Sequence, residues 1–405
     1  MILPFDIDKF IARHVTERPQ SLLQADIAAH ELLLKERAAG QSVLVIGGAG
    51  TIGAAFIKAL LPYRPARLYV IDTNENALTE LTRDLRSTLG MYLPDHYKPY
   101  AMSFGDRVFE KLLHREGPFD IIAHFAAHKH VRSEKDHYAV EAMIENNVLR
   151  THRLLQLLGE QPPQRFFSVS TDKAANPVNV MGASKKLMEE LLLSFSDLYP
   201  ISTARFANVA FSNGSLLDGF LHRLLKRQPL SAPRDIRRFF VSPREAGELC
   251  LLACLLGHPG DIYFPKLGEA QMKTFKAIAA DLLHHLGYTP LECATEEEAR
   301  EAAARLKSKD KAYPVFYFDS DTSGEKPYEE FYTDQEQIDW QRFEGLGVIK
   351  GQSNYSRYDI EIFLQRLEQF FEHEKLSKQA IVDLLADFVP SFHHIETGRG
   401  LDQKM

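Results

Sequence analysis

Residues 42–53 read SVLVIGGAGTIG, and this stretch decides the fold of the chain. The apolar run at its start predicts a buried strand, and the glycines that follow predict a tight turn into a helix. Glycines at this spacing let the backbone approach a pyrophosphate closely, and the N–H groups of the new helix face the anion. The residues expected to bind a dinucleotide here are Gly47, Gly50, Thr51, Ile52 and Gly53.

An acidic residue favours this interpretation over a purely structural turn between a strand and a helix. Asp72 ends the next apolar run, 19 residues after Gly53. A carboxylate at this place accepts hydrogen bonds from both ribose hydroxyls and repels a 2′-phosphate, so it favours NAD over NADP. Asp106 follows a third predicted strand, where two roles stay open: contact with the adenine amine, or the N-cap of a helix that starts at Arg107.

Strand-like and helical segments alternate along the chain, which predicts a parallel sheet with helices on both faces. The GxxGxxG spacing is typical of short-chain dehydrogenases. The predicted fold class is therefore α/β, a Rossmann-type doubly wound sheet of the extended short-chain dehydrogenase kind with a smaller C-terminal substrate-binding part. The predicted units are an N-terminal helical extension (1–40), an NAD-binding domain (41–210), a substrate-binding region (211–350) and a C-terminal helical segment with a mobile tail (351–405).

Bulk properties exclude several functional classes. A net charge of −7 argues against a nucleic-acid partner, because nucleic-acid binders usually carry a basic excess. No run of about 18 apolar residues and no export signal occur, so we expect a cytoplasmic protein without membrane insertion. The three cysteines fit a reducing compartment. No metal site is expected, because Cys250 and Cys254 lie in an apolar helical run and the histidine pairs 284/285 and 393/394 lack ligand-spaced partners.

A second polar stretch, residues 170–185, reads STDKAANPVNVMGASK. Short-chain dehydrogenases usually carry a Tyr-x-x-x-Lys pair, and Met181 and Lys185 have that spacing on one helix face. The thioether of Met181 has no titratable proton, so the tyrosine's role falls to another group. An Asp-Lys pair such as Asp172 and Lys173 would by itself indicate a surface loop. The residues around the pair argue against a surface loop.

Three further segments match the same pattern: AAHKHV at 126–131, RFANV at 205–209 and GEK at 324–326. With the stretch 170–185, they closely resemble the CapD-like polysaccharide-biosynthesis family of UDP-N-acetylglucosamine 4,6-dehydratases, in the subgroup with methionine in place of tyrosine. The resemblance covers roughly residues 42–335. The chain is also similar in style to GDP-N-acetylglucosamine dehydratases.

The resemblance implies an NAD-dependent hydro-lyase that makes a 4-keto-6-deoxy sugar nucleotide for surface polysaccharide or nonulosonic acid synthesis. Oxidation at C4 makes the C5 proton acidic, water leaves across C5–C6, and hydride returns to C6. The resemblance also implies that Asp172 is the acid at the C6 oxygen and that Lys173 is the base at C5. These roles require a raised pKa for Asp172 and a lowered pKa for Lys173.

The remaining members of the implied catalytic set surround that pair. Lys185 is expected to hold the nicotinamide ribose, and Thr171 is expected to bond the sugar O4. The acceptor of the O4 proton stays open between Thr171, relaying to solvent, and Asp172 itself. The full set is Thr171, Asp172, Lys173, Met181 and Lys185.

Other residues are expected to contact the two ligands. Ala126 follows a predicted strand and is assigned to the cofactor. Arg238 is assigned to the diphosphate because a guanidinium suits a bidentate phosphate contact. His130 has two open interpretations, a site residue or a buried structural histidine. The predicted substrate-binding residues are Lys129, His130, Asn208, Ser215 and Arg238.

Departures from the family pattern leave the nucleotide open between UDP and GDP. Ala207 replaces the usual glycine of RFGNV, and residues 229–240, PLSAPRDIRRFF, differ from the common form. Two other functions compete. A 4-epimerase would share NAD, Lys185 and the fold, but would not need Asp172 and Lys173. A non-catalytic NAD-binding regulator would need neither Asp172 nor Lys173.

Residues 1–40 predict an amphipathic helix whose apolar face must be buried. That face would either fold back on its own sheet or cover a neighbouring subunit. Because enzymes of this fold commonly pair through two long helices, here at 135–158 and 181–197, we expect a homo-oligomer that is at least a dimer.

Overall fold

The computed structural model describes residues 5–131, 134–372 and 376–398. Its strands, in chain order, are β1 Ser42–Ile46, β2 Arg67–Asp72, β3 His96–Ala101, β4 Ile121–His124, β5 Arg165–Thr171, β6 Ile201–Phe206, β7 Asn208–Val209, β8 Leu230–Pro233, β9 Arg237–Arg238, β10 Phe240–Val241, β11 Asp261–Pro265, β12 Lys273–Thr274, β13 Thr289–Cys293, β14 Ala312–Phe318, β15 Ile338–Asp339 and β16 Leu346–Lys350. Its α-helices are α1 Ile7–Phe10, α2 Gln24–Ala38, α3 Thr51–Leu60, α4 Glu75–Ser87, α5 Arg107–Glu116, α6 His137–Ile144, α7 Arg150–Leu158, α8 Val180–Ser194, α9 Leu216–Leu225, α10 Pro243–Leu256, α11 Phe275–His285, α12 Glu296–Ala304, α13 Arg357–Phe371 and α14 Lys378–Phe388.

The main sheet has the order β15-β16-β11-β6-β5-β4-β1-β2-β3. The strands from β3 to β11 run parallel, and β16 and β15 close one edge in antiparallel fashion. Every residue of β1 is buried, as expected for a strand covered by helices on both faces. The order 3-2-1-4-5-6 is that of a Rossmann fold, which confirms the predicted fold class.

A smaller unit lies after β6 along the chain. Its parallel sheet has the order β13-β14-β8. Helices α9 and α11 pack on this sheet around a separate apolar core, which includes Leu230, Ile278 and Val315. The predicted boundary at residue 210 does not mark the edge of the main sheet, because β11, β15 and β16 return to it from later in the sequence. Crossings of this kind leave no local signal in the amino-acid pattern.

The N-terminal extension is broken and does not form the single helix predicted for 1–40. Phe10 and Ile11, in α1 and the π-helical turn after it, join the core of the smaller unit. Helix α2 packs against α10 on the main sheet, where Leu34 is buried. The extension therefore packs on its own chain, which is one of the two possibilities left open by the sequence, and it connects both units. The homo-oligomer stays a prediction.

The C-terminal segment also returns to the body of the protein. Helices α13 and α14 pack against α8 and α6. Beyond them, the N–H groups of His393 and Ile395 donate to the carbonyls of Pro177 and Val178. The predicted mobile tail from Gly398 lies, except for Gly398 itself, outside the described residues. Within the described part of the chain, no helix combines the length and apolar character needed to cross a membrane.

The contact between α2 and the main sheet gives a stability prediction. Asp26 is buried, and its carboxylate accepts from the N–H groups of Glu344 (2.6 Å) and Gly345 (2.8 Å) just before β16. We expect Asp26→Ala to lower the free energy of unfolding by about 2–4 kcal/mol, because two backbone donors lose their acceptor. Lys35→Ala, on the exposed side of the same helix, should change it by less than about 0.5 kcal/mol. Urea unfolding of both variants measures the difference, and equal stabilities would contradict this role of the extension.

Candidate active site

A cleft of about 1210 Å³ opens where the carboxyl ends of β1, β2, β4, β5 and β6 face the smaller unit. Ligands bind at this edge of doubly wound sheets. The cleft brings together most of the predicted site residues: Gly47, Gly50, Thr51, Ile52, Gly53, Asp72, Ala126, Lys129, His130, Thr171, Asp172, Lys173, Met181, Lys185, Asn208 and Ser215.

The glycine turn has the geometry that the sequence predicts. Gly47 has φ +78°, and a Cβ there would lie 2.4 Å from the backbone nitrogen of Ala126. A Cβ on Gly53 would lie 2.5 Å from the Gly47 carbonyl oxygen. Gly50, by contrast, is exposed to the cleft at the start of α3, and a Cβ there would meet only the Gly47 oxygen at 3.5 Å. The open side of the turn therefore faces the cleft beside a helix N-terminus, as an anion-binding turn requires.

Asp72 ends β2 beside this turn. Its carboxylate accepts from the N–H of Ala49 (3.0 Å) and from the N–H of Asn74 (2.9 Å). These bonds fix the carboxylate at the rim of the cleft, where each oxygen keeps a lone pair for another donor.

Two predicted ligand contacts lie elsewhere. Asp106 occupies the N-cap position of α5, one of the two roles left open for it, and its carboxylate accepts from the N–H of Ser103. It lies next to the cleft rather than in its lining. Arg238 is buried, and its guanidinium donates to the carbonyls of Lys326 (2.9 Å) and Pro327 (3.1 Å). The prediction that Arg238 binds the diphosphate therefore fails in this structure, because internal acceptors occupy its donors.

Thr171, Asp172 and Lys173 form a connected group at the end of β5. The Thr171 hydroxyl donates to Asp172 Oδ1 over 2.8 Å, and Lys173 Nζ donates to the same oxygen over 3.0 Å. Asp172 is buried, while Lys173 keeps a small exposed fraction toward the cleft. Two neighbouring residues thus present an acid–base pair in direct contact.

Glu329 completes this group, although no local sequence pattern indicates it. Its Oε1 lies 3.6 Å from Lys173 Nζ. Burial alone would lower the pKa of Lys173, but the carboxylates of Asp172 and Glu329 outweigh burial, so the pKa is raised. The expected lowering of the Lys173 pKa is therefore wrong for this state, because two carboxylates stabilise the ammonium ion.

Helix α8 brings Met181 and Lys185 to the cleft. Asn179 caps the helix by accepting from the N–H of Gly182, and the Met181 N–H donates to Glu134 Oε1 over 2.9 Å. Lys185 Nζ donates to the carbonyl of Val169 over 3.0 Å, and burial lowers the Lys185 pKa to about 8.

The loop after β4 is fixed by one side chain. Asn147 accepts from the N–H of His128 (2.8 Å) and donates to its carbonyl (2.9 Å). Beyond this point Lys129 and His130 are exposed to the cleft, so the interpretation of His130 as a buried histidine is wrong. Although the residue is exposed, protein atoms crowd the Lys129 ammonium, and this desolvation lowers its pKa.

Further basic side chains line the cleft, and no sequence motif marks them. His222, Arg223 and Lys226, at the end of α9 and just after it, line the part of the cleft that the smaller unit forms. The sequence predicts no ligand-spaced partner for the histidine pair 393/394. In the structure, His394 Nε2 lies 3.9 Å from a carboxylate oxygen of Glu134. Among the described residues, no group of three metal-ligating side chains is found.

Fold and cleft together define a protein of the extended short-chain dehydrogenase type. The chain belongs to the polysaccharide biosynthesis protein family, whose sequence profile matches residues 43–350. This confirms the family resemblance seen in the sequence.

Four relatives illustrate the range of the family. An uncharacterised membrane protein of Methanocaldococcus jannaschii is 34% identical over 259 residues, 62% of this chain and 74% of that protein. Capsular polysaccharide biosynthesis protein CapD of Staphylococcus aureus is 26% identical over 86% of this chain, which spans 54% of CapD. The inverting UDP-N-acetylglucosamine 4,6-dehydratase of Campylobacter jejuni is 27% identical over 61% of this chain and 73% of the enzyme. UDP-glucose 4-epimerase of Rickettsia typhi is 27% identical over 56% of this chain and 66% of the enzyme.

Solved structures share the fold. Pen from Bacillus thuringiensis gives a TM-score of 0.63 at 18% identity, covering 87% of this chain and 98% of that one. The dTDP-glucose 4,6-dehydratase DesIV from Streptomyces venezuelae, solved with NAD and TYD bound, gives a TM-score of 0.54 at 22% identity, covering 71% and 87%.

The glycine turn allows a paired test of which glycine the fold needs. We expect Gly47→Ala to lower the free energy of unfolding by about 2–4 kcal/mol, because it adds both a left-handed strain and a backbone clash. Gly50→Ala should stay within about 1 kcal/mol of the parent, since its φ of −70° suits any residue. Thermal unfolding measures both, and a Gly47→Ala protein as stable as Gly50→Ala would contradict the assignment.

Proposed function

We propose that this chain is an NAD-dependent 4,6-dehydratase of a UDP- or GDP-linked N-acetylhexosamine. The observation that carries the proposal is the contact between Asp172 and Lys173 in a cleft that Lys185 also lines. Water elimination needs a base and an acid on neighbouring carbons, and two consecutive residues supply both. The 4,6-dehydratase among the relatives supports this reaction class.

The residues of the glycine turn fit the cofactor. Gly50 leaves room for a pyrophosphate at the start of α3, Asp72 presents a carboxylate for ribose hydroxyls, and Lys185 reaches the inner end of the cleft. Bound NAD supplies the acceptor for the C4 hydride and its donor for C6. The protein's own contribution is position and proton transfer.

Thr171 offers a replacement for the missing tyrosine. Its hydroxyl already donates to Asp172, so a proton leaving the sugar O4 can pass through Thr171 to that carboxylate. Of the two acceptors left open by the sequence, this geometry favours Asp172 over solvent. The protonated Asp172 is then the acid that the departing C6 hydroxyl needs, and Lys173 takes the C5 proton.

The cations on the α9 side of the cleft suit a sugar nucleotide. Arg223, Lys226 and Lys129 all line the cleft and can neutralise a diphosphate, the role predicted from the sequence for Arg238. Bacterial surface polysaccharide synthesis is the proposed setting, and a cytoplasmic homo-oligomer is the proposed form.

A 4-epimerase is the alternative, and an epimerase among the relatives keeps it in view. Epimerisation needs proton exchange at O4 alone, so it gives no role to a buried Asp172–Lys173 pair. Incubation of the NAD-loaded protein with UDP- and GDP-N-acetylglucosamine separates the two functions. A product lighter by one water supports the dehydratase, whereas a product of unchanged mass supports the epimerase.

The acid–base pair gives a kinetic prediction. We expect Asp172→Asn and Lys173→Ala each to lower kcat by at least about 10²-fold, because each removes one proton-transfer group. Both variants should still bind NAD, since neither residue belongs to the glycine turn. Steady-state rates and NAD titration measure the two effects, and near wild-type turnover in either variant would refute its assigned role.

Asp72 gives a prediction on cofactor choice. We expect Asp72→Ala to weaken NAD and to bind NADP relatively better, because the carboxylate that repels a 2′-phosphate is gone. Fluorescence titration with both cofactors measures the ratio of dissociation constants. A ratio equal to that of the parent would show that Asp72 does not face the ribose.

A further inference from the structure

Glu329 is a buried carboxyl group that the proposed chemistry has not yet used. It lies in the segment after β14, and its side chain is 2% exposed. Lys173 Nζ is 3.6 Å and Arg238 Nη2 is 3.9 Å from its Oε1, which has no hydrogen-bond partner among the described residues. Buried polar atoms are rarely left in this state, so the oxygen calls for an explanation.

The segment that carries Glu329 is fixed to the turn that carries Lys173. Gly324, with φ +68°, packs its backbone against Asn179, and the Asn179 amide donates to the Gly324 carbonyl over 2.7 Å. Lys326 Nζ donates to the carbonyl of Asn176 over 2.6 Å. The placement of Glu329 behind Lys173 is therefore built into the fold.

The proposed reaction needs a third proton site. Asp172 gains a proton from O4 through Thr171 and loses it to the departing hydroxyl, so it must begin as a carboxylate. Lys173 takes the C5 proton and returns it to C5 when hydride reaches C6, so it must begin as a neutral amine. The resting contact between Asp172 and Lys173 instead favours an ammonium ion. One proton must therefore leave Lys173 before the reaction and be held elsewhere.

We propose that Glu329 is a positioning residue that acts through Lys173 by holding the proton that Lys173 must release when substrate fills the cleft. The step breaks one N–H bond of the Lys173 ammonium and forms one O–H bond on Glu329 Oε1, so an ion pair becomes an amine and a carboxylic acid. No other reactant is needed. A closer approach of a few tenths of an ångström brings the two atoms within hydrogen-bond distance, about 2.7–3.2 Å. The proposal rests on the dehydratase function argued above.

The groups around Glu329 suit this role. Burial raises the pKa of Glu329, Asp172 raises it further, and the cations Lys173, Arg238 and Lys326 only partly oppose these effects. Displacement of water by substrate penalises charged pairs, which favours the neutral amine and acid over the ion pair. Arg238 Nη2 lies 3.9 Å from Glu329 Oε1, so its positive charge stays beside this group. Its burial against this group explains why it does not line the cleft.

Glu329→Gln tests the idea because glutamine keeps the shape of the side chain but cannot take up a proton. Lys173 must then release its proton to solvent. We expect kcat to fall at least about tenfold at neutral pH and to rise about tenfold per pH unit toward the Lys173 pKa, whereas the parent stays nearly flat over the same range. Glu329→Asp should restore much of the flat profile. Glu330→Gln is the matched control, since Glu330 is adjacent and exposed, and the one side-chain hydrogen bond that it makes within the described part of the chain is to Asn176.

A second measurement is independent of turnover. The rate at which fluorodinitrobenzene labels Lys173, followed by peptide mass spectrometry across pH, gives the Lys173 pKa in the unliganded protein. We expect this pKa to fall by about one unit or more in Glu329→Gln and to stay unchanged in Glu330→Gln. An unchanged Lys173 pKa, or a kcat profile in Glu329→Gln as flat as the parent's, would overturn the proposal. A lowered pKa in a protein that eliminates no water would instead refute the dehydratase function and leave the coupling of the two residues in place.

Discussion

The structure depends on one buried guanidinium. Arg205, on β6, is fully buried and donates to Glu189 over 2.8 and 2.9 Å, to Glu336 over 2.7 and 2.9 Å, and to the carbonyl of Phe331. The Ser170 hydroxyl at the end of β5 donates to the same Glu189 over 2.6 Å. Because removal of one partner from such a buried pair typically costs about 3–5 kcal/mol, the parts that it joins cannot separate easily.

Those parts are the ones that form the site. Ser170 precedes the acid–base pair on β5, Glu189 lies one helical turn beyond Lys185 on α8, and Phe331 follows Glu329 in the segment after β14. This buried charge network thus sets the relative positions of groups that are far apart in the sequence. Burial also lowers the pKa of Lys185 and raises that of Glu329, whereas the carboxylates of Asp172 and Glu329 raise the pKa of Lys173 against the effect of burial. The proton transfer proposed for the cleft would therefore depend on how the sheet is packed.

The sequence predicts what is local and misses what the tertiary fold assembles. The glycine turn, Asp72 and the parallel sheet with helices on both faces follow from short-range patterns. The placement of Asp172 and Lys173 together also does, since neighbouring residues at a strand end share one edge of the sheet. Arg238 was misassigned because its charge suggested a ligand, whereas its acceptors come from a segment far along the chain. No sequence pattern indicates Glu329 for the same reason, because the residues that it faces lie far from it along the chain. The break in the extension and the return of β11 to the main sheet likewise depend on partners that no local pattern names.

A labelled substrate tests whether water leaves across C5–C6 after oxidation at C4. UDP-N-acetylglucosamine carrying deuterium at C4 is incubated with the NAD-loaded protein, with the GDP-linked sugar run in parallel, and the product is examined by mass spectrometry and NMR. We expect a 4-keto sugar nucleotide that is lighter by one water and carries the deuterium at C6. A product of unchanged mass with deuterium still at C4 would contradict it.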